Sequence, residues 1–212
     1  MHPQDLKFFN PWEVVEVSEN HLPHWEQPGA TYYVTWRTAD SLPKTFLQQY
    51  RQEKETWLSQ HPKPWLPVEE AEYNQKFLAQ FEKKLDAGHG QCLLRQPNLS
   101  KIVAETLMHF EGDRTQMVSY VIMPNHVHAL FTMHPKWELT KVVQTWKSHS
   151  GKLINQATGQ TGTFWQKDYF DRIVRDFKHF GKCVRYIRNN PAKAKLRDGE
   201  FLLYENDLAK RV

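Results

Sequence analysis

Met117-Val-Ser-Tyr-Val-Ile-Met-Pro-Asn-His-Val-His-Ala-Leu-Phe-Thr-Met133 decides the fold. Two β-rich runs, Met117 to Met123 and His126 to Met133, are separated only by Pro124-Asn125. So short a link between strand-forming runs predicts antiparallel neighbours. Side chains two apart on a strand share a face, so His126 and His128 point one way while Val127 and Ala129 point the other.

Working outward, Thr31-Tyr-Tyr-Val-Thr-Trp-Arg37 is β-branched and aromatic between Pro28-Gly29 and Asp40-Ser-Leu-Pro43, which predicts a further strand. Polar segments of helical composition follow around Phe46 to Ser59 and Val68 to Asp86, broken by His61-Pro-Lys-Pro64 and by Gly88 and Gly90. Asn98 reads as an N-cap before Ile102, Val103, Thr106, Leu107 and Phe110, whose spacing makes one apolar helical face. Downstream, the pattern predicts a helix from Leu139 to Asn155, a short aromatic strand from Phe164 to Asp171, and a helix from Asp176 to Asn190 stopped by Pro191. This order predicts an α+β architecture, an antiparallel sheet with helices packed on one face.

With 212 residues and 40% apolar content, the chain allows one domain with a full core, residues 1–212, carrying a helical insertion near 44–90. Cys92 and Cys183 have no paired spacing, so neither a disulfide framework nor a thiolate zinc site is suggested, and a reducing, cytoplasmic setting fits. The start, Met1-His-Pro-Gln-Asp-Leu6, has no apolar run behind it, and no stretch approaches the roughly 18 apolar residues of a membrane span. The net charge of +4 is unevenly spread. From Lys44 to Gly90, seven basic residues meet seven acidic ones, whereas Arg172 to Leu196 carries eight basic residues against Asp176 alone. A polyanion should therefore meet the C-terminal segment rather than the segment before Gly90.

Imidazole is the commonest neutral metal ligand, and His126 with His128 leaves room for a third ligand and a substrate oxygen. An isolated His-x-His pair is more often two histidines that only make hydrogen bonds. In the last long helix, His179, Cys183, Tyr186 and Asn190 share one stripe beside the apolar stripe of Phe180, Val184 and Ile187. Lys178, Lys182 and Arg185 follow a third. By spacing alone, Tyr186 also suits half-buried packing and Asn190 a helix C-cap.

Five blocks together resemble the REP-associated tyrosine transposases, which belong to the HUH single-strand nucleases and are similar to the small tyrosine transposases of insertion sequences. They are Gly29-Ala-Thr-Tyr-Tyr-Val-Thr-Trp-Arg37 with Ala39-Asp-Ser-Leu-Pro43, Met123-Pro-Asn-His-Val-His128, Trp146-Lys-Ser-His149, Phe164-Trp-Gln-Lys-Asp-Tyr-Phe-Asp-Arg172, and Tyr186-Ile-Arg-Asn-Asn-Pro-Ala-Lys-Ala194. The resemblance implies a ferredoxin-like sheet with the histidine pair on a central strand. It implies Tyr186 as nucleophile on a following helix, and Asn190, one turn on, as third ligand beside His126 and His128. Tyr169 is the competing nucleophile, disfavoured because Tyr186 with Asn190-Pro191 matches the family's helix.

With neutral ligands a divalent ion, Mg2+ or Mn2+, would keep its full charge for the scissile phosphate; zinc would also bind. The expected reaction is cleavage of single-stranded, hairpin or palindromic DNA through a 5′-phosphotyrosine, followed by strand transfer without a nucleotide cofactor. Phosphate contacts are expected from Lys147, Lys152, Arg172, Arg175, Arg185 and Arg188, and base stacking from Trp165, Tyr169 or Phe170. Core packing is the even alternative for Trp165 and Phe170. The protein would act as a monomer or homodimer. A histidine-triad nucleotide hydrolase also uses His-x-His but needs a third alternate histidine, where this chain has Leu130. A non-catalytic DNA-binding protein descended from a transposase is the second rival.

Overall fold

The structure, a computed structural model, describes residues 5–19, 23–62 and 64–212, so the first four residues of the opening lie outside it. Its centre is a five-stranded antiparallel sheet. The strands are β3 (Thr31–Arg37), β4 (Thr115–Ile122), β5 (His126–Met133), β6 (Phe170–Ile173) and β7 (Leu202–Glu205), ordered β6-β3-β5-β4-β7; a separate hairpin, β1 (Glu16–Glu19) and β2 (Pro23–Glu26), precedes them. The anticipated pair β4 and β5 is antiparallel, with Ile122 opposite Val127, and β5 lies between β3 and β4. A register shift between Met117 and Ser119 places Met117, Tyr120 and Ile122 in one core cluster and Val118 and Val121 in the other.

Between these strands run α1 (Lys44–Gln60), α2 (Pro67–Tyr73), α3 (Gln80–Asp86), α4 (Pro97–Met108), α5 (Leu139–Thr158) and α6 (Phe177–Lys193), and the short α7 (Asp207–Lys210) follows β7. Taken alone, β3-α4-β4-β5-α5-β6 with strand order β6-β3-β5-β4 is the ferredoxin-like arrangement. Its helices α4 and α5 cover one face through Leu99, Val103, Leu107, Val142, Val143 and Trp146, against Val34, Trp36, Val127, Ala129 and Phe131. The expected one-sided packing holds for that pair only. Helix α6 takes the opposite face, where Phe180, Val184 and Ile187 meet Tyr33, Val118, Val121 and Leu130. Each such fully buried apolar side chain stabilises by about 1.5–3 kcal/mol, enough to lock α6 in one rotation about its axis.

Element ends differ from the sequence expectation for identifiable reasons. Helix α4 starts at Pro97 with Asn98 inside its first turn, because proline at the first helical position has no N–H to leave unsatisfied. Pro191 does not stop α6, which continues to Lys193. So near the end it removes a single helical hydrogen bond, and the chain turns away only at Lys195, in the left-handed region at φ 56°. The strand expected over Phe164 to Asp171 is shorter and later. Trp165 makes only an isolated bridge to Thr38, and ladder pairing resumes at Phe170 after the charged Lys167-Asp168.

Residues 44–60 and 67–86 are helical, with Asn74–Ala79 in a wider π-helical turn joining α2 to α3. They carry an aromatic cluster of their own. Trp57 packs against Trp65, Tyr73 and Phe77, and Tyr50 against Phe46, Phe77 and Phe81. The segment touches the sheet region where Arg37 lies 5.7 Å over the Phe81 ring.

Candidate catalytic and metal-binding site

On β5 the period-two rule puts His126 and His128 on the α6 side, with only 1% and 2% of their surface exposed. Their rings are perpendicular, with centroids 4.8 Å apart. Nδ1 of each is engaged. For His126 the partner is Asn125 Oδ1 at 2.8 Å; for His128 it is a pair of hydroxyls from β3, Tyr33 at 2.7 Å and Thr35 at 2.8 Å. These bonds leave both Nε2 atoms free to turn the other way, that of His128 toward Asn190 on α6 and that of His126 toward Asp86 on α3, as outer partners of metal-ligating histidines do. Burial pushes the His126 pKa down to about 3 and holds that of His128 well below its ordinary value. Neutral imidazoles of this kind are the form that binds a metal.

Asn190 enters from α6, 1% exposed, its Nδ2 3.4 Å from His128 Nε2. One turn earlier, the Tyr186 ring stands edge-on to His128 at 5.3 Å between centroids, and to Tyr33 at 6.0 Å. Among the described residues, His126 Nε2, Asn190 Oδ1 and the Tyr186 hydroxyl are buried without a well-formed hydrogen bond. Several such atoms in one place are costly unless a ligand meets them. Two imidazole nitrogens and an amide oxygen suit a divalent ion open to further oxygen ligands. No group of three or more His, Cys, Asp and Glu among the described residues forms a ready cage, so such an ion would depend on Asn190.

Helix α3 brings two carboxylates that spacing did not reveal. Asp86 Oδ1 lies 3.9 Å from His126 Nε2, and Asp86 Oδ2 lies 3.1 Å from Lys193 Nζ. Glu82 faces the Tyr186 phenol. Burial, then the neighbouring Tyr33, Glu82 and Asp86, raise the Tyr186 pKa well above that of a free phenol. Burial likewise raises Glu82 above the ordinary carboxylate range, opposed by its contact with Tyr186 and by Lys193. In front of Tyr186 and Asn190 opens a groove of about 400 Å³ that Lys182, Arg185, Asn189 and Lys193 also line. Of these, the sequence singled out Lys182 and Arg185 as a cationic stripe; Lys193 was visible only as part of the Asn-Asn-Pro-Ala-Lys block.

The remaining expected DNA contacts are dispersed. Arg172 and Arg175 are exposed, and the Arg172 guanidinium lies 5.1 Å over the half-buried Phe170 ring. Arg188 is engaged by Glu205 and the Ala209 carbonyl. Lys147 and Lys152 ride on α5, across the sheet from the histidines; Lys147 donates to the Lys167 carbonyl. Trp165 and Tyr169 are core residues here rather than open stacking platforms. Trp165 donates to Ser150 Oγ beside Trp36, and Tyr169 shares a hydrogen bond with Thr140 and stacks on His24. Tyr169 therefore belongs to the cluster on the face away from the imidazoles.

No curated protein matches the chain. Among solved structures, a REP-associated tyrosine transposase bound to a REP hairpin aligns at 14% identity over 82% of this chain and 74% of its own, with a TM-score of 0.46. A protein from Deinococcus radiodurans R1 assigned as a transposase aligns at 16% identity over 78% and 93%, with a TM-score of 0.36. Residues 93–190 match the family model described as "Transposase IS200 like". The matched stretch carries His126, His128, Tyr186 and Asn190.

Proposed function

We infer from the match to the IS200-like transposase model over residues 93–190 that this chain processes DNA in the manner of a transposase. We propose that it is a metal-dependent single-stranded DNA endonuclease and strand-transferase in which Tyr186 is the nucleophile and His126, His128 and Asn190 hold a divalent ion, Mg2+ or Mn2+. One observation carries the reading: His126 Nε2, Asn190 Oδ1 and the Tyr186 hydroxyl, all buried without a well-formed hydrogen bond, gather around the buried His128 imidazole beside a basic groove.

The ion, when bound, would supply positive charge at the scissile phosphate and to the departing oxygen. Lys182, Arg185 and Lys193 would draw the DNA backbone into the groove. The Tyr186 oxygen then attacks phosphorus, its proton passing to Glu82. The bond from phosphorus to the 3′ oxygen breaks, and that oxygen leaves as a 3′-hydroxyl after taking up a proton. The new 5′-phosphotyrosine keeps a phosphodiester, so another 3′-hydroxyl can reverse the step and join strands without a nucleotide cofactor. A hairpin or palindromic DNA is the proposed substrate, as either a monomer or a homodimer of the chain.

Incubation with a labelled single-stranded hairpin and Mn2+ should give a covalent protein–DNA adduct on a denaturing gel. It should vanish in Tyr186→Phe, weaken in His126→Ala and persist in Tyr169→Phe. An adduct that survives Tyr186→Phe would move the nucleophile elsewhere, and none from the wild type on any hairpin would favour a non-catalytic DNA-binding protein. The histidine-triad alternative is opposed by Leu130, fully buried on the imidazole side of β5 among Tyr33, Val184 and Ile187.

A further inference from the structure

We infer that Asp86, supplied by the helical segment before β4, is a direct ligand of the divalent ion alongside His126, His128 and Asn190. The inference rests on the proposed metal site and adds to it a residue from a part of the chain outside the matched stretch 93–190.

Asn125 makes the argument. Its side-chain Nδ2 donates to two carbonyls at the end of that segment, Leu85 at 3.3 Å and His89 at 3.0 Å. Two acceptors on one side fix which end of the amide is nitrogen, so the oxygen is the end that meets His126 Nδ1. Nδ1 therefore carries the proton, and Nε2 of the neutral ring presents a lone pair. What it faces is Asp86 Oδ1, another lone-pair donor, at 3.9 Å. Two acceptors with no proton between them repel at that range. The Asp86 side chain is nine-tenths buried, and neither its Oδ1 nor His126 Nε2 completes a hydrogen bond among the described residues.

A cation resolves this. Coordinate bonds to nitrogen and oxygen run about 2.0–2.2 Å, so one ion can span two donor atoms up to roughly 4 Å apart. Lys193 orients the carboxylate by taking Oδ2, leaving Oδ1 toward His126. The same Asn125 that sets the His126 tautomer also anchors the chain end that presents Asp86, so both ligands are held by one amide. An added carboxylate shifts the donor set toward the oxygen-rich sites that Mg2+ and Mn2+ prefer.

Calorimetric titration of the metal-free full chain with Mn2+ tests this without reference to activity. Loss of outer-shell partners alone costs about 10–100-fold in metal affinity, so Asp86→Ala should weaken Mn2+ binding at least about tenfold. Asp86→Asn, which keeps the shape, should also weaken it. Lys193→Ala, which removes an orienting partner and a nearby positive charge but no ligand, should weaken binding less than either Asp86 variant. Near-UV circular dichroism checks folding, and Asp86→Asn carries the test if Asp86→Ala does not fold. If His126→Ala loses the ion while both Asp86 variants bind as wild type does, the inference fails and the proposed function stands. If His126→Ala binds unchanged, or the wild type binds no Mn2+, the histidine site itself fails. Equal weakening in Lys193→Ala and Asp86→Ala would make the effect that of the ion pair and overturn the ligand role.

Discussion

At the scale of single residues, the site is governed by what burial does to ionisable groups. His126 and His128 stay neutral because a charged ring would lose its water, and the folded chain therefore refuses protons that the unfolded chain accepts. The sign follows. An unfolded histidine titrates near pH 6.5, and the folded His126 only near pH 3, so between these values the unfolded state binds more protons and stability falls as pH falls. Urea unfolding of the metal-free protein should show a lower midpoint at pH 5.5 than at pH 7.5, and His126→Gln should flatten that dependence. A wild-type midpoint that does not move over this range would mean the rings are charged or solvated. The histidine pair was legible as a pair, since alternate residues on a strand must share a face. That Tyr33 and Thr35 would meet Nδ1 of His128 was not, because the β3–β5 register sets Thr35 opposite His128.

Among the elements, α6 carries the most. Its apolar, mixed and basic stripes could be read from helical spacing, and Asp176 caps it by accepting from the His179 N–H at 2.6 Å. The apolar stripe fixes the rotation of the helix, and rotation places Tyr186 and Asn190. Ile187 is fully buried in that stripe beside Tyr186. Ile187→Ala should destabilise the protein by about 2–5 kcal/mol in denaturant unfolding, and should slow adduct formation beyond what the unfolded fraction explains. Unchanged stability would show that α6 is not seated as described. Pro191 misled the boundary: proline withholds its N–H only from the carbonyl one turn back, and just Ala192 and Lys193 follow it in the helix.

Across the whole molecule, charge and topology act together. The ferredoxin-like unit puts α4 and α5 on one face, so the opposite face is free to receive α6, and the basic groove opens on that side. DNA binding there should release counterions, and the slope of log affinity against log salt counts them. Replacing Lys182 and Arg185 together by alanine should reduce that slope by about 1.4 for a single strand, whereas replacing Lys152 on the far face should leave it unchanged. An equal change from both replacements, followed by fluorescence anisotropy across salt concentrations, would place the DNA elsewhere. No helix among the described residues is long and apolar enough to cross a membrane.

Local pattern determined the strands β3, β4 and β5, the helices α4, α5 and α6, and the sharing of one face by His126 and His128, because alternation and helical periodicity are properties of neighbouring residues. Resemblance added Tyr186 and Asn190 as partners. Only the tertiary structure decided that α6 crosses to the face opposite α4 and α5, that Trp165 and Tyr169 turn inward, and that the charge-balanced segment from Lys44 to Gly90 delivers Glu82 and Asp86 to the site. No spacing links Asp86 to His126; their meeting depends on the Asn125 amide holding the end of that segment, a contact between residues 40 positions apart.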